Sequence, residues 1–121
     1  MKLQRTYSPE FENALNSLVN PDVKRSIQQK LDDYSESIKN GRGLFYSEAL
    51  QPYKFKLKYN AESSLFAFLI SDNLGLIASL DDDPLFDQTI FNIYDLVSKD
   101  QIDNAYFRIG QQIYKEESML A

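Results

Sequence analysis

Residues Tyr53 to Tyr59 read YKFKLKY, so aromatic or aliphatic side chains alternate strictly with lysines. Successive side chains of an extended chain point to opposite faces, and the run therefore predicts a β-strand with one apolar and one lysine face. Two apolar runs follow after short polar turns, LFAFLI at Leu65 to Ile70 and LGLIASL at Leu74 to Leu80. Together the three runs predict an antiparallel meander. Because the last two are apolar at nearly every position, we expect both faces of the sheet to be covered.

The first forty or so residues predict a strand and a helical hairpin. Lys2 to Tyr7 alternates weakly, as a short strand does. Ser8-Pro9 and Asn20-Pro21 each combine an N-cap residue with a proline at the first helical position, so a helix is expected to begin at each. Gly41 is expected to end the second helix, and Asn40 to Gly43 to form a turn. The apolar stripe of the second helix comprises Val23, Ile27, Leu31, Tyr34 and Ile38.

The last part of the chain predicts two more helices. Asp81 to Pro84 is interpreted as the N-terminal cap of the first, since the aspartate run lacks the glycine and the terminal glutamate of a calcium loop. Ser98 to Gln101 fits a capping box for the second. The apolar positions of the first are Phe86, Ile90, Phe91, Ile93, Tyr94 and Val97, and those of the second are Ile102, Ala105, Tyr106, Ile109 and Ile113. The fold predicted for residues 1–121 is a single α+β domain.

Composition narrows the kinds of site that the chain can hold. The absence of Cys and His removes disulfides, thiolate metal sites and the usual proton shuttle, and we expect no metal and no cofactor. No apolar run reaches the length of a membrane span, and the first residues lack a signal peptide, so a cytoplasmic protein without membrane contact is expected.

Charge is unevenly distributed along the chain. Residues 1–60 carry 10 basic and 7 acidic side chains (+3), and residues 61–121 carry 3 and 11 (−8), which gives the total of −5. This polarity indicates either a nucleic-acid contact in the first half or two halves that neutralise each other. The overall acidity favours a protein partner over free nucleic acid.

Three stretches resemble the RelE/ParE superfamily of toxins from bacterial type II toxin–antitoxin pairs. They are Tyr7 to Phe11 at the start of the first helix, Leu50 to Lys56 at the entry to the first predicted meander strand, and the apolar runs within Leu65 to Leu80. The order strand, two helices and three antiparallel strands is also similar. The resemblance covers residues 1–83, and the predicted helices of residues 84–117 form an extension to it.

The resemblance implies a toxin that acts on the ribosome or on gyrase and that is held by a small antitoxin chain. The RNA-cutting members are metal-independent endoribonucleases that use basic side chains on the sheet, with Tyr, His or Glu, at the reacting phosphate. Lys54, Lys56 and Lys58 fall where the family keeps basic residues. The arginine and the histidine that usually accompany them are absent, so we expect a degenerate or altered mRNA-cleavage site, and no catalytic residue is assigned.

Other interpretations of the same residues stay open. The three lysines are also typical of the solvated face of an edge strand. Tyr53, Tyr59, Tyr94 and Tyr106 are proton donors in principle, but they are also ordinary core or rim residues. The chain as a whole is alternatively a non-toxic protein-interaction module, or an active ribonuclease that uses lysines and a tyrosine.

A further hypothesis concerns the acidic C-terminal part. Its helices are expected to pack over the sheet face that the lysines rim, which would place Asp87, Asp95 and Asp103 near Lys54, Lys56 and Lys58.

Overall fold

In the computed structural model, which describes residues 2–114, a four-stranded sheet has helices on both faces. The predicted α+β class is therefore confirmed. The strands are β1 (Lys2–Tyr7), β2 (Leu65–Leu69), β3 (Leu74–Asp83) and β4 (Gln88–Ser98), and the helices are α1 (Pro9–Asn16), α2 (Pro21–Lys39), α3 (Gly43–Glu48) and α4 (Ile102–Ile113).

The helical hairpin forms where its local signals place it. The Ser8 hydroxyl accepts a hydrogen bond from the Phe11 N–H at 3.1 Å, and the Asn20 side chain accepts one from the Asp22 N–H at 2.8 Å. Both helices therefore begin with a satisfied N-cap and a proline. Gly41 follows the end of α2 with φ +92°, a backbone conformation that glycine adopts without steric cost.

Strand β4 contradicts the prediction for the segment after Pro84. The sequence predicted a helix there, but Gln88–Ser98 is a strand between β1 and β3, in a sheet of order β1-β4-β3-β2. A central strand is apolar on both faces, and its apolar residues at Ile90, Phe91 and Tyr94 coincide with helical spacing. β4 pairs parallel with β1 and antiparallel with β3, so the sheet is mixed, while β2, β3 and β4 form an antiparallel meander.

The predicted strand from Tyr53 to Tyr59 is also wrong. Of residues 50–60, Leu50 alone pairs with β2, through a single bridge to Ala67, after which the chain leaves the sheet. Residues 51–57 have no regular structure, and Lys58 to Asn60 form a 3-10 turn in which Tyr59 is left-handed, with φ 59°. The alternation of the sequence still matches the alternation of burial, because Phe55 points into the protein while Lys54 and Lys56 are exposed. No ladder of backbone hydrogen bonds accompanies it along residues 51–57.

The two faces of the sheet pack against different elements. One face and helices α1 to α3 share a core that includes Tyr34, Phe45, Phe68 and Phe91. The other face packs against α4, whose Ile102 lies so close to Gly75 that a Cβ atom there would be 2.2 Å from its Cγ1 atom. The helix predicted after Ser98 is thus confirmed. It begins after a 3-10 turn at Lys99–Gln101, without the predicted side-chain cap.

The end of the RelE/ParE-like stretch at residue 83 does not divide the fold. It falls at the turn between β3 and β4, and β4 supplies the only strand that pairs with β1 within residues 2–114. The part after residue 83 is therefore a strand and a helix instead of a helical extension. Residues 115–117 of the predicted extension lie outside the described residues.

Candidate functional site

The three candidate lysines lie on the segment 52–60, which we call the lysine segment. Lys54 and Lys56 are exposed and Lys58 is half-buried. The segment crosses the same face of the sheet as α4, since its buried Phe55 belongs to the core that α4 forms with β2 and β3. The lysines are therefore presented on an irregular chain that is anchored by an aromatic side chain.

The anchor is a contact between Phe55 and the last turns of α4. An ideal Cβ atom on Gly110 would lie 2.0 Å from the Cζ atom of Phe55, so the ring packs directly on the helix backbone. The Phe55 ring also lies 5.9 Å from that of Tyr106 and 5.5 Å from that of Tyr114, centroid to centroid. Glycine at position 110 is required by this close approach, and the position of the lysine segment is set by it.

Two of the acidic residues expected near these lysines have other neighbours. Asp95 accepts a hydrogen bond from Arg108 on α4, with 3.0 Å between Nη2 and Oδ2, and Asp87 lies in the β3–β4 turn beside Lys2. Across residues 2–114 Lys54, Lys56 and Lys58 form no ion pair with Asp87, Asp95, Asp103 or any other acidic side chain. Helix α4 covers the apolar side of the lysine segment and leaves Lys54 and Lys56 exposed.

A row of polar side chains crosses the α4-facing side of the sheet beyond the end of that helix. We call it the Asp81 cluster. It runs from Thr6 on β1 through Asn92 and Tyr94 on β4 and Ser79 and Asp81 on β3 to Ser64 before β2.

The carboxylate of Asp81 is the centre of this row. It accepts hydrogen bonds from Ser64 at 2.9 Å, Asn92 at 2.8 Å and Ser79 at 3.3 Å. Asn92 in turn accepts a bond from Thr6 at 2.6 Å. The cluster therefore links β1, β4 and β3 to the residue that precedes β2 through side chains, and it adds a negative charge on this side of the sheet.

The tyrosines of this face are poor proton acceptors at neutral pH. Burial raises the pKa of Tyr94, whose hydroxyl lies 3.1 Å from that of Ser79, and burial raises the pKa of Tyr106 to about 12. Both hydroxyls therefore stay protonated. Tyr53 and Tyr59 are exposed, and Tyr59 reaches 96% exposure. The Tyr94 and Tyr106 hydroxyls are therefore not ready general bases at neutral pH.

The three consecutive aspartates do not cap a helix, contrary to prediction. Asp82 binds Arg42 across the opposite face with 2.6 Å between Nη2 and Oδ1, and it accepts a bond from Thr89 at 2.7 Å. The hydrogen bond with Arg42 holds the pKa of Asp82 below its usual value and raises the pKa of Arg42. Asp83 accepts bonds from the Leu85 N–H and from Gln88, which fixes the β3–β4 turn. Each aspartate thus has a separate structural partner.

Large apolar side chains are exposed at several places, and two of these places bring aromatic rings to the surface. Tyr53 and Phe107 form an edge-to-face pair beside the lysine segment, with ring centroids 4.8 Å apart and exposures of 48% and 37%. Leu85 and Phe86 project from the β3–β4 turn and are 88% and 71% exposed. Half-exposed aromatic side chains of this kind are enriched in protein–protein interfaces.

The sequence pointed to the lysines but not to the Asp81 cluster. Ser79 and Asp81 follow the alternation of β3, but their partners Asn92 and Tyr94 were assigned to a helix. In a strand, Asn92 and Tyr94 point to the same face. Recognition of β4 as a strand would therefore have placed them beside Ser79 and Asp81 on one polar face of the sheet.

Comparison of the chain with protein-family models, with curated proteins and with solved structures gave no match. Among residues 2–114 no helix is long and apolar enough to cross a membrane. The same residues hold no group of three acidic side chains close enough together to bind a metal ion.

Proposed function

We propose that the protein is a RelE/ParE-like toxin-type protein whose mRNA-cleavage site is degenerate or altered, and that it acts through contact with the ribosome or a protein. The observation that carries the proposal is the lysine segment, in which Lys54 and Lys56 are exposed and form no ion pair within residues 2–114. Cations held in this way are free to meet an anionic partner surface.

The order of elements supports the family. A strand, a helical hairpin and three antiparallel strands follow one another, as the resemblance implies, although the third antiparallel strand is β4 and not Tyr53 to Tyr59. The order alone defines a fold and leaves the activity open, since one fold hosts many functions.

The chemistry of the site supports contact over cleavage. Nuclease members need a group that deprotonates a ribose hydroxyl next to the cations. Tyr94 and Tyr106 have raised pKa values because they are buried, and so they remain protonated at neutral pH. These two hydroxyls are therefore poor partners for the free lysines in acid–base catalysis, which favours contact over cleavage.

A second function is favoured by one observation. The exposed Tyr53–Phe107 pair lies beside Lys54, which combines an aromatic anchor with a basic rim. Such a combination suits a protein surface with apolar and acidic groups. The alternative is therefore a non-toxic protein-interaction module that uses this same surface.

Induced expression in a bacterium tests the two functions. The toxin proposal expects growth arrest that is lost when Lys54, Lys56 and Lys58 are changed to Ala, together with intact mRNA. A matched triple variant, Lys24, Lys39 and Lys99 to Ala, also lowers the net charge from −5 to −8 and should still arrest growth. Normal growth with well-expressed, folded protein would contradict the toxin proposal and favour the module. Cleaved mRNA would contradict a degenerate site, and relaxed plasmid DNA would identify gyrase as the target.

Removal of the C-terminal part is unsuited to this test. Deleting residues 84–121 would remove β4, the strand that joins β1 to β3. Loss of activity on truncation would then report only the loss of the sheet.

A further inference from the structure

The outer edge of β1 is open within residues 2–114. The Lys2 N–H donates to Asp87 O at 3.1 Å and the Ser8 N–H donates to Ile93 O at 2.9 Å, both on the β4 side. In a parallel pair every second residue of a strand bonds to the same neighbour, so the even-numbered residues of β1 bond to β4. The backbone groups of Leu3, Arg5 and Tyr7 therefore point away from the sheet, where β1 is the terminal strand.

The other edge of the sheet is closed by contrast. Ala67 on β2 exchanges both of its backbone hydrogen bonds with Leu50, each at 2.8 Å. The carbonyl of Leu65 accepts bonds from the Tyr106 hydroxyl at 2.8 Å and from the Gln51 side chain at 3.3 Å. Proteins commonly cover sheet edges in this way because an open edge pairs with further strands. The fold covers one edge and leaves the other ready for pairing.

We propose that β1 pairs with β1 of a second copy of this chain, antiparallel about a two-fold axis at Gln4. In this register Leu3 lies opposite Arg5 of the second copy and exchanges both backbone hydrogen bonds with it. Gln4 lies opposite Gln4, and Lys2 opposite Thr6 of the second copy. The two sheets become one continuous sheet.

Side-chain charges select this register and this occupant. A shift of the axis to Arg5 would place two arginines directly opposite each other, which is unfavourable. With the axis at Gln4 no like charges face each other across the pair.

The proposed contact is small. Five paired residues in each copy form an interface below the roughly 1,000 Å² expected of stable complexes. The dimer is therefore reversible and depends on protein concentration. It does not depend on the proposed function, because Phe55 anchors the lysine segment to α4, β2 and β3, whereas β1 is the terminal strand on the far side of β4.

Sedimentation velocity of the full chain over a concentration series tests the proposal. The wild-type chain should shift from monomer to dimer as the concentration rises. Gln4→Lys and Gln4→Glu each place two like charges at the axis and should weaken the dimer about fivefold or more. An equimolar mixture of the two variants places opposite charges there and should dimerise more strongly than either variant alone.

Gln28→Lys and Gln28→Glu, on the exposed side of α2, change the charge equally and should dimerise as the wild type does. Circular dichroism checks that every variant is folded. A wild-type chain that stays monomeric at all concentrations would overturn the proposal. So would Gln4 variants that dimerise normally, or a mixture that stays monomeric.

Discussion

Replacement of Gly110 by Ala tests how the lysine segment is held. Alanine is favoured over glycine inside a helix by about 1 kcal/mol. At this position, however, the new Cβ atom would lie 2.0 Å from Cζ and 2.3 Å from Cε2 of Phe55. Phe55 is 9% exposed, so its ring must move within a packed environment. A contact this close falls in the upper part of the roughly 1–3 kcal/mol that overpacking costs, and after the helix gain is subtracted we expect Gly110→Ala to lower the free energy of unfolding by about 1–2 kcal/mol.

Whether Gly110→Ala destabilises or stabilises the protein depends on the Phe55 ring. Phe55→Ala alone should cost about 3 kcal/mol, the low end for a large buried aromatic, because the segment lies at the margin of the core. In that background the clash is gone, and Gly110→Ala should stabilise the protein by about 1 kcal/mol. The two substitutions should therefore couple by about 2–3 kcal/mol.

Urea unfolding followed by circular dichroism measures the four proteins of this cycle. Gly43→Ala is the control, since nothing lies within 4 Å of the Cβ atom that it would add at the start of α3. It should be neutral or slightly stabilising in both backgrounds. The proposed contact is refuted if Gly110→Ala destabilises the Phe55→Ala protein as much as the wild type.

Two further predictions concern pH. The pKa of Asp82 is held below its ordinary 3.8 by Arg42, so the ion pair contributes at higher pH, and its contribution is lost as the pH falls through the folded-state pKa. Asp82→Asn should cost about 0.5–1 kcal/mol at neutral pH, since the carboxylate is 59% exposed, and progressively less in acid urea titrations; a constant difference would contradict this. The pKa of Tyr106 is raised by burial from 10.0 to about 12, so its contribution is complete below pH 10.0 and disappears as the pH rises through about 12. Tyr106→Phe should cost about 1 kcal/mol at neutral pH through its lost bond to Leu65 O, and should flatten the alkaline loss of stability; an unchanged alkaline profile would argue against it.

The parts of the fold that follow from local chemistry could be predicted. Ser8 and Asn20 cap their helices through groups two or three residues away, and Gly41 ends α2 through its own backbone. Such signals are complete within a short stretch of sequence. The starts of α1 and α2 were predicted correctly for this reason.

Strand β4 could not be predicted by the same means. Its residues Ile90, Phe91 and Tyr94 are apolar because β1 and β3 flank it and both faces are covered, and a buried helix gives a similar pattern. The prediction for Tyr53 to Tyr59 was wrong in the opposite way, since a strand was predicted where none forms. Its alternation matches a strand, but β2 pairs only with Leu50 in this part of the chain. Phe55 is instead buried against Gly110.

The candidate site was predicted only in part for a related reason. Exposure of Lys54 and Lys56 follows from the alternation, whatever the backbone does. The Asp81 cluster depends on side chains from β1, β3 and β4 and on Ser64 before β2, so it can be recognised only when the order of the strands is known.

The pairing of β1 with β4 has a consequence for synthesis on the ribosome. Thr6 is synthesised 86 residues before Asn92, its hydrogen-bond partner on β4. At about 5–20 residues per second this interval lasts roughly 4–17 s, whereas helices form within about a microsecond. The helical hairpin therefore emerges and folds long before its sheet is complete. During translation its apolar stripe stays uncovered, and a nascent chain in this state is a natural client for a chaperone.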